Sequence, residues 1–122
     1  LHAKLLKPVI FGIEGKKLKP EEKDFFLQHN PSGYILFSRN CESPEQIKEL
    51  NAELKEISGK DTLILIDQEG GRVARLKPPH WRKSPPAGVF AKLAEKDIPL
   101  AQEAVYLNHR LIAQELYELG IN

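Results

Sequence analysis

The sequence predicts an α/β chain that forms the first three βα units of a TIM-type (β/α)8 barrel, and three observations predict it. Short apolar runs without polar alternation read as strands buried on both faces, hence as a parallel sheet. Segments with helical spacing separate those runs, and parallel neighbours are joined by right-handed crossovers. At roughly 31 residues per unit in a barrel of about 250, the chain's 122 residues hold close to four units, of which three are complete.

The first strand is the run Val9 to Ile13. A helix from Pro20 to His29 comes next, with Glu21 and Glu22 in the first turn, where carboxylates favour the positive end of the helix dipole. The second strand is Tyr34 to Phe37. Ser43, Pro44 and Gln46 then spell a capping box with proline at the first helical position, and Ile47, Leu50, Leu54 and Ile57 line one face of a helix from Pro44 to Ser58. Gly59 is its left-handed stop. Thr62 to Ile66 is the third strand.

The segment Lys77 to Gly88 holds four prolines and reads as a long loop, since proline is excluded from helix interiors and central strands. The last helix starts near Pro99 behind Asp97. It carries Leu100, Ala104, Leu107 and Leu111 on one stripe with Ile112, Leu116 and Leu119 beside it, and meets Gly120 as a stop. A fourth strand would begin at Ile121 and Asn122. Left open, the sheet exposes unpaired backbone at its edges, so self-association through those edges is expected. A small flavodoxin-like domain is the alternative fold.

Residues 1–122 are expected to be one portion of a single domain. Hydrophobic residues make up 41% and charged residues 29%, an ordinary globular balance, and a formal charge of +1 leaves no electrostatic case for nucleic acid or an anionic membrane as partner. Cys41 has no partner for an internal disulfide. With no signal peptide and no apolar run of roughly eighteen residues, a cytoplasmic, soluble chain is expected. The absence of Met at position 1 points to an incomplete N-terminus.

In parallel α/β folds functional groups gather where strands end at their carboxyl side. The first run leads into Glu14 and Gly15, the second into Ser38, Arg39 and Asn40, and the third into Asp67, Gln68, Glu69, Gly70, Gly71 and Arg72. The third is the richest, placing Asp67 at a strand tip and, around a glycine pair, two carboxylates and two arginines, Arg72 and Arg75, within nine residues. Such an Asp and Arg suit a hydroxyl-rich neutral ligand such as a sugar, because carboxylates accept from vicinal hydroxyls and a guanidinium donates in a fixed fork. Asp and Gly after a strand are also ordinary turn chemistry, and both readings stand. For Glu69 and Arg72 a buried ion pair that positions the loop is expected instead.

Asp67 and Glu69 are next-but-one neighbours in a turn, so the acid and nucleophile roles of a glycosidase are not assigned to them. His2, His29, His80 and His109 are scattered without metal-ligand spacing, and no metal or other cofactor is expected. Cys41 reads as a small buried or half-buried residue, and Trp81 as packing its loop onto the fold rather than stacking on a sugar. No glycine pattern for cradling phosphate is present.

The stretches KPVIFGIEG from Lys7, GYILFSRN from Gly33, IDQEGGRVARL from Ile66 and LAQEAVYLNHRLIAQELYELGIN from Leu100 together resemble the N-terminal part of bacterial β-N-acetylglucosaminidases (β-hexosaminidases) of glycoside hydrolase family 3. IDQEGGRV is the specific string. The resemblance implies a TIM-type barrel, and removal of terminal β-1,4-linked N-acetylglucosamine from muropeptides with retention, during cytoplasmic peptidoglycan recycling. It implies that Asp67 and Arg75 bind the sugar. Where many members have Asp at the end of the first strand, this sequence has Gly12. The family's proton donor, a histidine in a Lys-His-Phe-Pro-Gly-His-Gly motif, and its aspartate nucleophile match nothing in residues 1–122, so this chain alone is expected to be inactive. A non-catalytic sugar-binding or self-associating module is the alternative.

Overall fold

The computed structural model describes residues 4–122, so His2 lies outside the described residues. Strands and helices alternate as β1 (Lys7–Gly12), α1 (Pro20–His29), β2 (Pro31–Leu36), α2 (Pro44–Ser58) and β3 (Leu63–Ile66). A small hairpin comes next, β4 (Gln68–Gly70) and β5 (Val73–Ala74), and then α3 (Ala87–Ala94) and α4 (Ile98–Glu118). The main sheet has the order β1-β2-β3, with both pairs parallel. That sequential order is the one a barrel segment needs; a flavodoxin-like sheet would place β1 in the middle.

Register explains the layering. Phe11, Tyr34 and Ile64 lie side by side across the three strands, as do Ile10, Gly33 and Leu63 one residue earlier. The first row faces the core: Tyr34 is 0% and Ile64 1% exposed, and they cluster with Phe26 of α1 and Ile47, Leu50 and Leu54 of α2. The Phe26 ring meets Tyr34 edge-on at 4.8 Å. The second row faces away from the helices, and Ile10 and Leu63 are 44% and 46% exposed. Burial on both faces therefore holds for the central strand β2 but not for its neighbours. Gly33 is required in that row, because a Cβ there would lie 2.6 Å from the Leu63 carbonyl oxygen.

Strand ends are set by side chains that divert the backbone. Ile13, expected in the first strand, leaves it because its carbonyl accepts from Arg39 Nε at 2.9 Å and Asn40 Nδ2 at 3.0 Å. Phe37 leaves the second because its N–H goes to Asn40 Oδ1. The helix starts obey the expected chemistry with one change. Ser43 accepts from the Gln46 N–H at 3.2 Å, while the Gln46 carboxamide reaches past Ser43 to accept from the Glu42 N–H at 2.8 Å. Glu22 accepts from the backbone N–H groups of both Glu14 and Lys19.

The C-terminal region departs most from expectation. The eight-residue helix α3 begins at the end of the expected loop and continues beyond it, where no polar cap signals a start. On α4 the expected stripe divides: Ile112 and Leu119 are buried and Leu116 packs on the core, but Leu100, Leu107 and Leu111 are about half exposed, and Ala101 and Asn108 face inward in their place. The inward polar position is used, since Asn108 accepts from the guanidinium of Arg82 at 2.8 Å. Asn51 and Lys55 of α2 donate to the Leu119 and Gly120 carbonyls and so cap the end of α4. Asn122 then runs beside β3, with its N–H on the Ile64 carbonyl and its side-chain oxygen on the Ile64 N–H.

Candidate functional site

The loops after β1, β2 and β3 meet at one end of the sheet. Asp67 comes directly after β3, and its Oδ2 accepts from Arg75 Nη2 at 3.4 Å. Their side chains are 47% and 24% exposed, so the carboxylate is open to a ligand while the arginine is largely embedded. The two residues that the sequence singles out are thus brought together.

Gln68 holds them there, a role that sequence reasoning misses. Only 9% exposed, it accepts from the N–H groups of Arg75 and Leu76 at 2.8 and 3.0 Å and donates to the Leu76 carbonyl at 3.0 Å. One carboxamide therefore ties the start of β4 to the segment after β5 and returns Arg75 over Asp67. The signal available is its place between Asp67 and the glycine pair, but spacing alone does not reveal its burial.

The glycines make the return possible. Gly70 and Gly71 have φ of 93° and 59°, a region that side-chain-bearing residues rarely occupy. They also touch the proline-rich loop: a Cβ on Gly70 would lie 2.4 Å from the Pro85 carbonyl oxygen, and one on Gly71 would lie 2.6 Å from Pro86 Cβ. The loop is anchored in turn by Trp81, 9% exposed within the core cluster, and by Arg82, whose N–H donates to Glu115. Trp81 thus packs its loop onto the fold.

The expected buried pair of Glu69 and Arg72 does not form. Both are exposed, and among the described residues neither joins an ion pair. In β4, Gln68 and Gly70 turn inward, so alternation along the strand sends Glu69 outward. Cys41 is half-buried and donates to the Phe37 carbonyl, and burial pushes its thiol up to about 11 against a smaller opposing pull from Arg75. It is an inert thiol at neutral pH. Among the described residues no three His, Cys, Asp or Glu side chains cluster in a way that would hold a metal ion. No described helix is long and apolar enough to cross a membrane.

Asn40 braces the second loop. Fully buried, it donates to the Ile13 and Gly15 carbonyls and accepts from the Phe37 N–H. Asn40→Ala is expected to cost about 2–4 kcal/mol by stranding these buried groups. Urea denaturation checks this, and a loss under about 0.5 kcal/mol would refute the bracing role.

No family model matches the chain. A β-hexosaminidase of Alkalilimnicola ehrlichii is 36% identical over 118 residues, covering 97% of this chain and 34% of that enzyme. One from Psychromonas ingrahamii is 34% identical over 117 residues, 96% of this chain and 34% of that enzyme. NagZ from Neisseria gonorrhoeae, in a crystal structure with N-trifluoroacetyl-D-glucosamine, superposes with a TM-score of 0.87 at 36% identity, over 93% of this chain and 33% of that one. In sequence and fold the chain is similar to β-hexosaminidases.

A glycoside hydrolase family 3 β-N-acetylglucosaminidase from Paenibacillus sp. str. FPU-7 shares the fold at a TM-score of 0.79 and 32% identity, over 93% of this chain and 21% of that one. The similarity is to the N-terminal part of such enzymes. The chain spans about a third of the length of the curated β-hexosaminidases it matches.

Proposed function

We propose that this chain carries part of the sugar-binding site of a family 3 glycoside hydrolase that removes terminal β-1,4-linked N-acetylglucosamine from peptidoglycan-derived muropeptides, with retention, in cytoplasmic cell-wall recycling. The observation that carries the reading is the Asp67 and Arg75 pair, set at the tip of β3 by Gln68 in a chain 36% identical to a β-hexosaminidase. Asp67 accepts from sugar hydroxyls and Arg75 donates to ring or acetamido oxygens, a division suited to a polar ligand without net charge.

On this reading residues 1–122 are the N-terminal portion of one (β/α)8 barrel domain. The sequential parallel sheet supports it, as do the backbone and side-chain bonds of Asn122 to Ile64 of β3, where the next barrel strand would pair. The sheet face bearing Ile10 and Leu63 then becomes barrel interior, which accounts for its exposure here.

Turnover needs a proton donor and a covalent trap as well as binding groups. The pure 122-residue chain is therefore expected to show no saturable hydrolysis of a chromogenic β-N-acetylglucosaminide, assayed on protein whose mass is confirmed as 13.8 kDa. Turnover at that mass would place catalytic groups within this sequence and overturn the assignment. A second reading, a self-associating sugar-binding module, is favoured by the same exposed Ile10 and Leu63 and by the outer edge of β1. Sedimentation that depends on concentration, with retained sugar binding, would select it.

A further inference from the structure

We propose that α4 pairs antiparallel with α4 of a second copy of this chain, through an outward leucine seam flanked by two reciprocal ion pairs. The inference goes beyond the sugar-binding reading, does not depend on it, and uses a surface other than the outer edge of β1. Leu100, Ala104, Leu107 and Leu111 follow one another at steps of four, three and four residues, the spacing of a coiled-coil seam. The three leucines are about half exposed, while Ala101, Asn108 and Ile112 take the inward positions of the helix. α2 bonds to the chain just beyond this helix, at Leu119 and Gly120, and leaves the leucines open.

A seam of this kind is completed by side-chain knobs seated in holes made by four residues of the facing helix. α4 carries such a hole, since Leu107, Arg110, Leu111 and Gln114 bound a hollow on its outer surface. With two copies antiparallel and centred between Ala104 and Leu107, Leu100 of one copy enters the hollow of the other beside its Leu111. Ala104 of one copy then faces Leu107 of the other, so that small meets large in both inner layers.

Charge commits both the partner and the direction. Glu103 and Arg110 lie on one flank of the seam, both exposed, and among the described residues neither joins an ion pair. In the antiparallel alignment Glu103 of each copy meets Arg110 of the other, which gives two equivalent pairs across a two-fold axis. A parallel alignment would instead set Ala104 against Ala104 and leave Glu103 opposite the buried, uncharged Asn108. Because the seam spans only about three helical turns, the dimer is weak and depends on concentration.

Sedimentation equilibrium of the chain at low salt, over about 10 to 500 µM, tests this. The apparent mass is expected to rise from 13.8 kDa toward twice that value. Glu103→Arg and Arg110→Glu should each weaken association about fivefold, since each replaces two attractive pairs by two repulsive ones. Mixing the two single variants, or placing both changes in one chain, should restore it, a rescue that damage to the monomer could not produce. Both positions are exposed, so the variants keep their fold, which circular dichroism checks. Leu107→Lys should abolish the dimer. A monomer across the whole range, or charge reversals that neither weaken association nor rescue one another, would overturn the seam. Association untouched by all of these changes would assign the contact to the outer edge of β1 instead, and so overturn it too.

Discussion

Asp67→Ala is expected to abolish measurable binding of N-acetylglucosamine by this chain. Hydrogen bonds to a charged acceptor contribute about 1.5–3 kcal/mol each, and one carboxylate can serve two vicinal hydroxyls. Removing it also frees the Arg75 guanidinium, now 3.4 Å from Asp67 Oδ2, from the group that orients it. The combined loss corresponds to at least about tenfold in affinity, enough to move weak binding beyond detection in an NMR titration. Stability should change little, because the Asp67 side chain is 47% exposed and its ion pair is long. A variant that binds as the parent does would show that the strand-tip carboxylate is turn chemistry and not a ligand contact.

Gly70→Ala is expected to be among the most damaging single substitutions in the chain. Two costs add. A φ of 93° carries a penalty for any residue with a Cβ, roughly 1–2 kcal/mol, and the new methyl would meet the Pro85 carbonyl oxygen at 2.4 Å, a distance backbone must move to relieve. Together they predict a loss of about 2–5 kcal/mol, read as a fall in urea midpoint or of roughly 10 °C in Tm. Because the same contact seats the hairpin against the loop, the parts of the site should separate as well, and sugar binding should weaken in whatever fraction remains folded. A melting temperature within about 2 °C of the parent would mean that the loop yields freely and does not position the site.

Much of this architecture is legible in the residues. The helix from Pro44 to Ser58 is readable from Ser43, Pro44 and the spacing of Ile47, Leu50 and Leu54, because capping and 3.6-residue periodicity act within one turn. Asp67 is readable because it ends an apolar run before a glycine turn, whereas Arg75 is distinguished from Arg72 only by the resemblance to the β-hexosaminidases. Gln68 is not, since a glutamine in a turn looks solvent-exposed until the backbone it clamps is in place. The outward turn of Leu100, Leu107 and Leu111 on α4 has a related reason. Leucines are common enough along that helix to suggest more than one face, and the inward one is chosen by Arg82, which needs Asn108, and by α2, which caps the helix end through Asn51 and Lys55.

By itself, then, the sequence determined the alternation of strands and helices, the parallel sheet and the place of Asp67 at a strand tip, because each depends on chemistry within a few residues. Only the tertiary structure decided which face of α4 is buried, that Glu69 and Arg72 stay apart, that Gln68 returns Arg75 over Asp67 and that Arg39 donates to the Ile13 carbonyl. Those outcomes depend on atoms distant in sequence, on Ile13 against Arg39 and Gly70 against Pro85. Contacts of that kind exist only after the chain has closed on itself, so no local pattern encodes them in readable form.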